Sequence, residues 1–291
     1  MMDGFILINK EDNYSSNKID GIIKRTLGLN RVGHLGTLDP LAKGLLVVMV
    51  GSSTKYAKYF DDLSKEYILE VRLGATSKSL DYETELENIE NIDYRGKESI
   101  IDELLNSYPH AYFQTPPIYS AIKLGGKKYY EMANKDILFE PKRREVKIYD
   151  IKRISPIEYI DNNSFFKLKC HVSKGFYVRS LAKEIGEKLG ISSMASLIIR
   201  TKVGEFNLTD SNSLDDIENN NYRIVDPLDY LHFETITFDE NIIKKIKNGV
   251  KLNSSLFSDE DYYLIKDKSD EAIAIYKKSE PYYVMDLLIK R

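Results

Sequence analysis

This sequence is short of several things, and each shortage closes off a class of protein. It has a single cysteine, Cys170, so no internal disulfide can form and a reducing compartment is expected. Cys170 itself reads as a small buried hydrophobe in a strand. Histidine is scarce too, with four in 291 residues, and His34 has no cysteine partner in range, so no metal is expected. Long apolar runs are missing. Residues 5–8 are followed at once by polar Asn9 and Lys10, too short for a signal segment, and residues 45–50 fall far short of a membrane span. A cytoplasmic chain with no membrane attachment is therefore expected. An excess of positive charge is also absent: the formal net charge of -3 argues against a simple electrostatic binder of nucleic acid. There is no internal repeat and no low-complexity segment.

What is present describes a globular protein, with 42% hydrophobic and 30% charged residues and enough length for one large domain and a small one. Charge is unevenly spread. Residues 123–147 hold eight basic side chains (Lys123, Lys127, Lys128, Lys135, Lys142, Arg143, Arg144, Lys147) against four acidic ones, whereas residues 81–104 hold nine acids against Arg95 and Lys97. Such a chain can present one basic face while staying acidic overall; both stretches can equally be ordinary solvated surface.

Hydrophobic periodicity predicts a buried strand at 5–8 and a helix capped by Ser15 or Ser16, with Ile19, Ile22, Ile23 and Leu27 on one face and Gly28 at its end. A strand at 45–50 and a helix at about 53–61 follow, and Tyr67, Leu69 and Val71 alternate with Ile68, Glu70 and Arg72 as a strand does. Ile100, Ile101, Leu104 and Leu105 mark a helix. Residues 120–124 read as a strand leaving through Gly125-Gly126, 146–154 and 165–172 as longer strands, and 178–189 as a helix stopped by Gly190. Strands at 196–200 and 204–208 complete the main unit. A polar connector follows Asp210, and short β-like runs at 262–265, 272–276 and 282–288 form a small module. The irregular alternation of elements points to an α+β fold with a largely antiparallel sheet.

The most informative stretch is Gly33-His34-Leu35-Gly36-Thr37-Leu38-Asp39-Pro40-Leu41-Ala42-Lys43-Gly44, a tight loop that brings one carboxylate to a sheet edge. On the residues alone, Asp39 can be a helix N-cap with Pro40 in the first turn, or a reactive acid. The stretch resembles the nucleophile loop of the bacterial tRNA pseudouridine-55 synthases (TruB type), G-H-x-G-[TA]-L-D-P-x-A-x-G. Three further stretches match in order. Ser64-Lys65-Glu66-Tyr67 resembles D-K-x-Y, Gln114-Thr115-Pro116-Pro117-Ile118-Tyr119-Ser120-Ala121-Ile122-Lys123 resembles Q-x-P-P-x-Y-S-A-x-K, and Ser173-Lys174-Gly175-Phe176-Tyr177-Val178-Arg179 resembles C-S-K-G-T-Y-I-R.

The resemblance implies a pseudouridine-synthase-type mixed sheet flanked by helices over residues 1–234, with a PUA-like RNA-binding module at 235–291. It implies isomerisation of uridine 55 in the T loop of tRNA, with no cofactor. Asp39 would be the nucleophile, Arg179 its partner, and Tyr67 the residue that stacks on the base and can take the proton. An arginine beside a carboxylate favours the charged form and fixes its orientation. Tyr177 and Arg179, two apart, would face one way from a strand end.

Substrate contacts would come from His34, Tyr177, Ile199 packing on the pocket, Lys55 at the Gly51-Ser52-Ser53-Thr54-Lys55 helix start, Lys10 and Arg200. The chain departs from the pattern in Lys10-Glu11-Asp12-Asn13-Tyr14-Ser15-Ser16, which lacks the family's proline and glycine, and in Gly74-Ala75-Thr76-Ser77-Lys78-Ser79-Leu80-Asp81, where Lys78 replaces an acid. The T stem-loop of tRNA is the expected partner, no obligate protein partner is expected, and a monomer is the default. The alternatives are a synthase acting on another RNA and an RNA-folding chaperone in which binding outweighs chemistry.

Overall fold

In the computed structural model, which describes residues 2–289, the apolar run near the start forms strand β1 (Gly4–Lys10). Helix α1 (Ser16–Thr26) follows, capped by the Ser15 hydroxyl, which accepts the Lys18 N–H. Strands β2 (Val32–Leu35) and β3 (Lys43–Val50) flank the Asp39 loop. Next come β4 (Lys65–Leu73), α2 (Glu98–Asn106), β5 (Ala111–Gln114), β6 (Arg144–Arg153), β7 (Asn163–Val172), α3 (Val178–Leu189) and β8 (Ser193–Val203). The main sheet runs β1-β3-β8-β4-β7-β6-β5, with β2 on the side of β3. Neighbours are antiparallel except β8 beside β3, where Ile199 lies opposite Lys43 and Arg200 opposite Gly44. The α+β class with a mixed, largely antiparallel sheet is the one expected.

Alternation explains the centre. Tyr67, Leu69, Val71 and Leu73 of β4 are buried while the residues between them are partly exposed. They share a core with Ile6, Ile8, Leu46 and Val48 from the sheet, Ile19 and Ile23 from α1, and Leu181, Ala182 and Ile185 from α3. Burying each such side chain contributes about 1.5–3 kcal/mol, so the two helices are held by their apolar stripes rather than by propensity. Helix α3 ends where expected, with Gly190 at φ 72°.

Several elements differ from their expected form. The helix expected at 53–61 is a 3-10 helix at Gly51–Tyr59, because its serines and threonine compete for the backbone: the Thr54 hydroxyl donates to the Gly51 carbonyl at 3.1 Å. The strand expected at 120–124 reduces to a small hairpin pairing Lys123–Leu124 with Lys127–Lys128. The two strands expected at 196–208 are one long β8 and a two-residue strand, Phe206–Asn207.

The polar stretch read as a connector belongs to the first unit. Phe5 and Val225 exchange backbone hydrogen bonds at 2.8 Å, and the Asn212 N–H donates to the Leu7 carbonyl at 2.8 Å. The chain divides into two units after Pro227, ahead of the boundary expected at 234.

The second unit carries β9 (Glu234–Thr237), α4 (Glu240–Lys247), β10 (Leu252–Asn253), β11 (Tyr262–Lys266), β12 (Ala272–Ser279) and β13 (Tyr282–Leu288). Its sheet order is β9-β11-β12-β13-β10, and Phe238, Ile243, Ile246, Tyr263, Tyr276 and Tyr283 form its core. Among the described residues, no helix is long and apolar enough to cross a membrane.

Gly44 marks a close approach of two backbones in the main sheet. It has φ 98°, and a Cβ there would run into the backbone carbonyl of Arg200. Gly44→Ala should therefore cost about 2–4 kcal/mol of stability, from the left-handed backbone and the overpacking together. A denaturant titration reads this directly, and a loss below about 1 kcal/mol would show that β8 can move away from β3 at little cost.

Candidate active site

The loop between β2 and β3 is pinned on both sides of Asp39. The Leu38 N–H donates to the Ser16 hydroxyl at 2.9 Å, and that hydroxyl lies 3.1 Å from the Leu38 carbonyl, to which it donates. The Pro40 carbonyl accepts from the Lys10 Nζ at 3.0 Å. The Ala42 N–H closes back on the Asp39 carbonyl at 3.1 Å, a single turn with Pro40 in its first central position. The chain then enters β3, so Asp39 caps no helix.

Its carboxylate stays 36% exposed and meets Arg179, which is 1% exposed. Arg179 Nε lies 2.9 Å from Asp39 Oδ2, but its N–H is not aimed along that line, making this a charge contact rather than a linear hydrogen bond. Nη1 donates to the Ser79 carbonyl at 2.7 Å and Nη2 to the Tyr119 carbonyl at 2.8 Å. A second carboxylate, Asp81, approaches the same Nε at 3.7 Å and is nearly buried. The expected strand-end geometry of Tyr177 and Arg179 is not what forms. The apolar spacing of Val178, Leu181, Ala182 and Ile185 starts a helix there, so Tyr177 is its extended N-cap and Arg179 lies in its first turn.

Two clefts adjoin here, and the pair lines the narrower of them. The narrower, about 80 Å³, is lined by Asp39, Tyr67, Phe176, Tyr177, Arg179 and Ile198. The wider, about 420 Å³, shares Tyr67, Phe176 and Tyr177 and adds His34, Lys65 and Arg200. Asp39, Tyr67, Arg179, Tyr177, His34 and Arg200 are thus brought together.

Three expected substrate contacts are placed otherwise. Ile199 lines neither cleft: a bulge between Ala195 and Leu197 sets the alternation of β8 so that Ile198 faces Asp39 instead. Lys55 is exposed on the 3-10 helix and reaches neither cleft. Lys10 is wholly buried and spends its ammonium on the Glu11 and Pro40 carbonyls, so it holds the loop rather than meeting a ligand. Asp81, Ile198 and Lys65 were not singled out from the sequence. Asp81 closes the Gly74–Asp81 motif match, and that position is the signal that could have found it.

Electrostatics follow burial. The Tyr67 phenol is pushed up by desolvation, while the Arg200 guanidinium pulls the other way. Arg200 donates from Nε to the Leu45 carbonyl at 2.8 Å and leaves Nη2 without a protein partner. Burial pushes both the Lys10 and Lys65 ammonium groups down to about 8. His34 is held by Asp20 at 2.8 Å on Nδ1 and by Thr37 at 3.1 Å on Nε2.

A family profile described as TruB family pseudouridylate synthase (N terminal domain) matches residues 24–178. The chain belongs to the TruB family. Proteins named tRNA pseudouridine synthase B are similar along nearly the whole chain. That of Borreliella burgdorferi (strain ZS7) is 34% identical, covering 94% of this chain and 95% of its own. That of Clostridium kluyveri (strain ATCC 8527 / DSM 555 / NBRC 12016 / NCIMB 10680 / K1) is 36% identical, covering 92% and 90%. Among solved structures, the fold is similar to a chain of a Cbf5-Nop10-Gar1 complex, with TM-score 0.68 and 19% identity over 98% of this chain and 85% of that one. A chain of the archaeal box H/ACA sRNP Nop10-Cbf5 complex gives TM-score 0.66 at 18% identity, covering 99% and 85%. As a TruB-family pseudouridine synthase the chain is an isomerase, and its narrower cleft is lined by the partly exposed Asp39 carboxylate and the buried Arg179 that holds it.

Arg179→Ala should reduce the single-turnover rate by at least about 10³-fold, since it frees Asp39 and leaves Asp81 buried without its counter-charge. Arg179→Lys keeps a charge but not the fork that reaches Ser79 and Tyr119, and should lose about 10–100-fold. Wild-type turnover in either variant would remove Arg179 from the site. Lys65 is charged below about 8 and neutral above it, so Lys65→Met should weaken RNA affinity several-fold at pH about 7 and much less at pH about 9. Filter binding at constant ionic strength measures both; equal losses at the two pH values would contradict the assignment.

Proposed function

We propose that this chain converts uridine 55 in the T loop of tRNA to pseudouridine, with Asp39 as the nucleophile. The observation that carries the reading is the Asp39–Arg179 pair opening, with Tyr67, into a single cleft. The relatives' printed name, tRNA pseudouridine synthase B, supports tRNA as the substrate.

The reaction balances within one nucleotide. The Asp39 carboxylate adds to the nucleotide, at the ribose C1′ or on the ring, and the N1–C1′ bond breaks. The base turns in the cleft, C5 bonds to C1′, the C5 proton leaves, N1 takes up a proton in exchange, and Asp39 is released. Nothing is oxidised or reduced. Arg179 keeps the carboxylate aimed, and Tyr67 offers a face for the flipped base. Stacking of that kind contributes about 1–3 kcal/mol, against the few kcal/mol that extruding a loop base costs. The Tyr67 hydroxyl borders the cleft where the C5 proton would leave; burial holds it protonated, and the Arg200 guanidinium only partly offsets that effect. Loops are where a protein can splay and read an RNA base, and the T loop meets that condition.

The β-rich second unit serves as a PUA-like RNA-binding module in this reading, and the enzyme works as a cytoplasmic monomer needing neither cofactor nor protein partner. Tritium release from an unmodified tRNA transcript labelled at uridine C5 tests the proposal. Wild type should release it, and Asp39→Asn should be slower by at least about 10³-fold. Modification mapped to ribosomal RNA alone would redirect the substrate assignment, and full activity of Asp39→Asn would end the nucleophile assignment.

A further inference from the structure

Arg179 is held from one side by a single segment, residues 114–119. Its Nη2 donates to the Tyr119 carbonyl at 2.8 Å, and the next residue, Ser180, donates its hydroxyl to the Thr115 carbonyl at 2.8 Å. Pro116-Pro117 between them restricts the segment's backbone. Both contacts use backbone carbonyls, which no side-chain change removes. The third contact is different. Gln114, fully buried, lays its side-chain amide against the backbone of Tyr177: the Tyr177 N–H donates to Oε1 at 2.8 Å, and Nε2 donates to the Tyr177 carbonyl at 3.2 Å. Without Gln114 the extended residue that starts α3, two before Arg179, would lose the partner of its buried N–H.

The amide is itself fixed in one orientation. Gln114 Nε2 also donates to the Tyr112 hydroxyl at 3.1 Å, and that hydroxyl donates to Glu184 Oε2 at 2.8 Å. Because Tyr112 gives its only proton to Glu184, it can only accept from Gln114, so the amide nitrogen must face Tyr112 and the oxygen must face the Tyr177 N–H. Glu184 lies on α3 itself. A closed ring therefore runs from Glu184 through Tyr112 and Gln114 back to Tyr177 at the start of the same helix, and Arg179 sits inside it.

We propose that Gln114, oriented by Tyr112 and Glu184, is a positioning residue for catalysis that sets the height and angle at which Arg179 meets Asp39. Its side chain lines neither cleft. Its effect is on the chemical step, where a displacement of about 1 Å in a reacting group can cost about 100-fold. The proposal rests on the reading of Asp39 and Arg179 as the reacting pair.

The test compares wild type, Gln114→Met, which keeps volume without the amide, and Tyr112→Phe, which cuts only the link to Gln114 and Glu184. Each is measured for single-turnover tritium release from a C5-labelled tRNA transcript, for affinity toward the same transcript, and for thermal midpoint. Gln114→Met should be about 30–100-fold slower with affinity within about twofold of wild type, and Tyr112→Phe about 3–10-fold slower. A wild-type rate in Gln114→Met overturns the proposal, as does a rate loss matched by equal losses of affinity and thermal midpoint. If Gln114→Met does not fold, Tyr112→Phe decides alone, and an unchanged rate overturns the proposal. Failure of the wild type to release tritium counts against the tRNA reading and not this one. The variants are then compared on whichever RNA the wild type modifies.

Discussion

A guanidinium taken out of water needs counter-charge, and Arg179 finds it in two carboxylates that the fold brings from separate loops. Asp81 is buried beside it and Asp39 is a third exposed, so the two acids face different surroundings across one cation. Asp81 helps keep Arg179 in the protein interior; Asp39 reaches out to the cleft while remaining oriented. Stripping one partner from a buried charge of this kind costs about 3–5 kcal/mol. That cost ties the reactive geometry to the stability of the fold, because the chain cannot loosen the pair without exposing an unpaired charge to a low-dielectric interior.

The rest of the first unit keeps that arrangement still and makes its surroundings cationic. Leu38 and Pro40 are anchored by Ser16 and Lys10, so the residue between them has little backbone freedom. Lys65, Arg200 and Lys174 line the wider cleft, and Ala121 and Ile122 bring the root of the Lys123–Leu124/Lys127–Lys128 hairpin to its edge. A chain of net charge -3 thus concentrates positive groups where an RNA backbone would approach, which sum and sequence order alone do not convey.

How much of this was legible depended on whether a residue's role is local. The alternation of β4, the turn at Asp39 and the Gly190 stop of α3 follow from short-range chemistry, and they form where the sequence placed them. Roles set by distant partners did not show. The resemblance implied a ligand contact for Lys10, whereas its buried ammonium is taken by the Pro40 carbonyl thirty residues away, a partner that no local pattern marks. One bulge in β8 exchanged Ile199 for Ile198, because a slip of one residue turns every following side chain to the other face. The stretch after Asp210 looked like a linker since its pairing with β1 is made mostly by backbone groups, with one polar side chain, Asn212, donating to the Leu7 carbonyl.

The position of β8 carries a consequence for how the molecule comes into being. It lies between β3 and β4 in the sheet, yet it is the last of the long strands of that sheet to leave the ribosome. Until residues 193–203 emerge, β4 presents an open edge of unpaired amides, β3 lacks its partner at Lys43 and Gly44, and Tyr67 has no Arg200 beside it. One late insertion therefore joins β3 to β4 and brings Ile198 and Arg200 to the clefts, so a nascent chain stalled short of it has both clefts incomplete and an edge exposed to pairing with a neighbour.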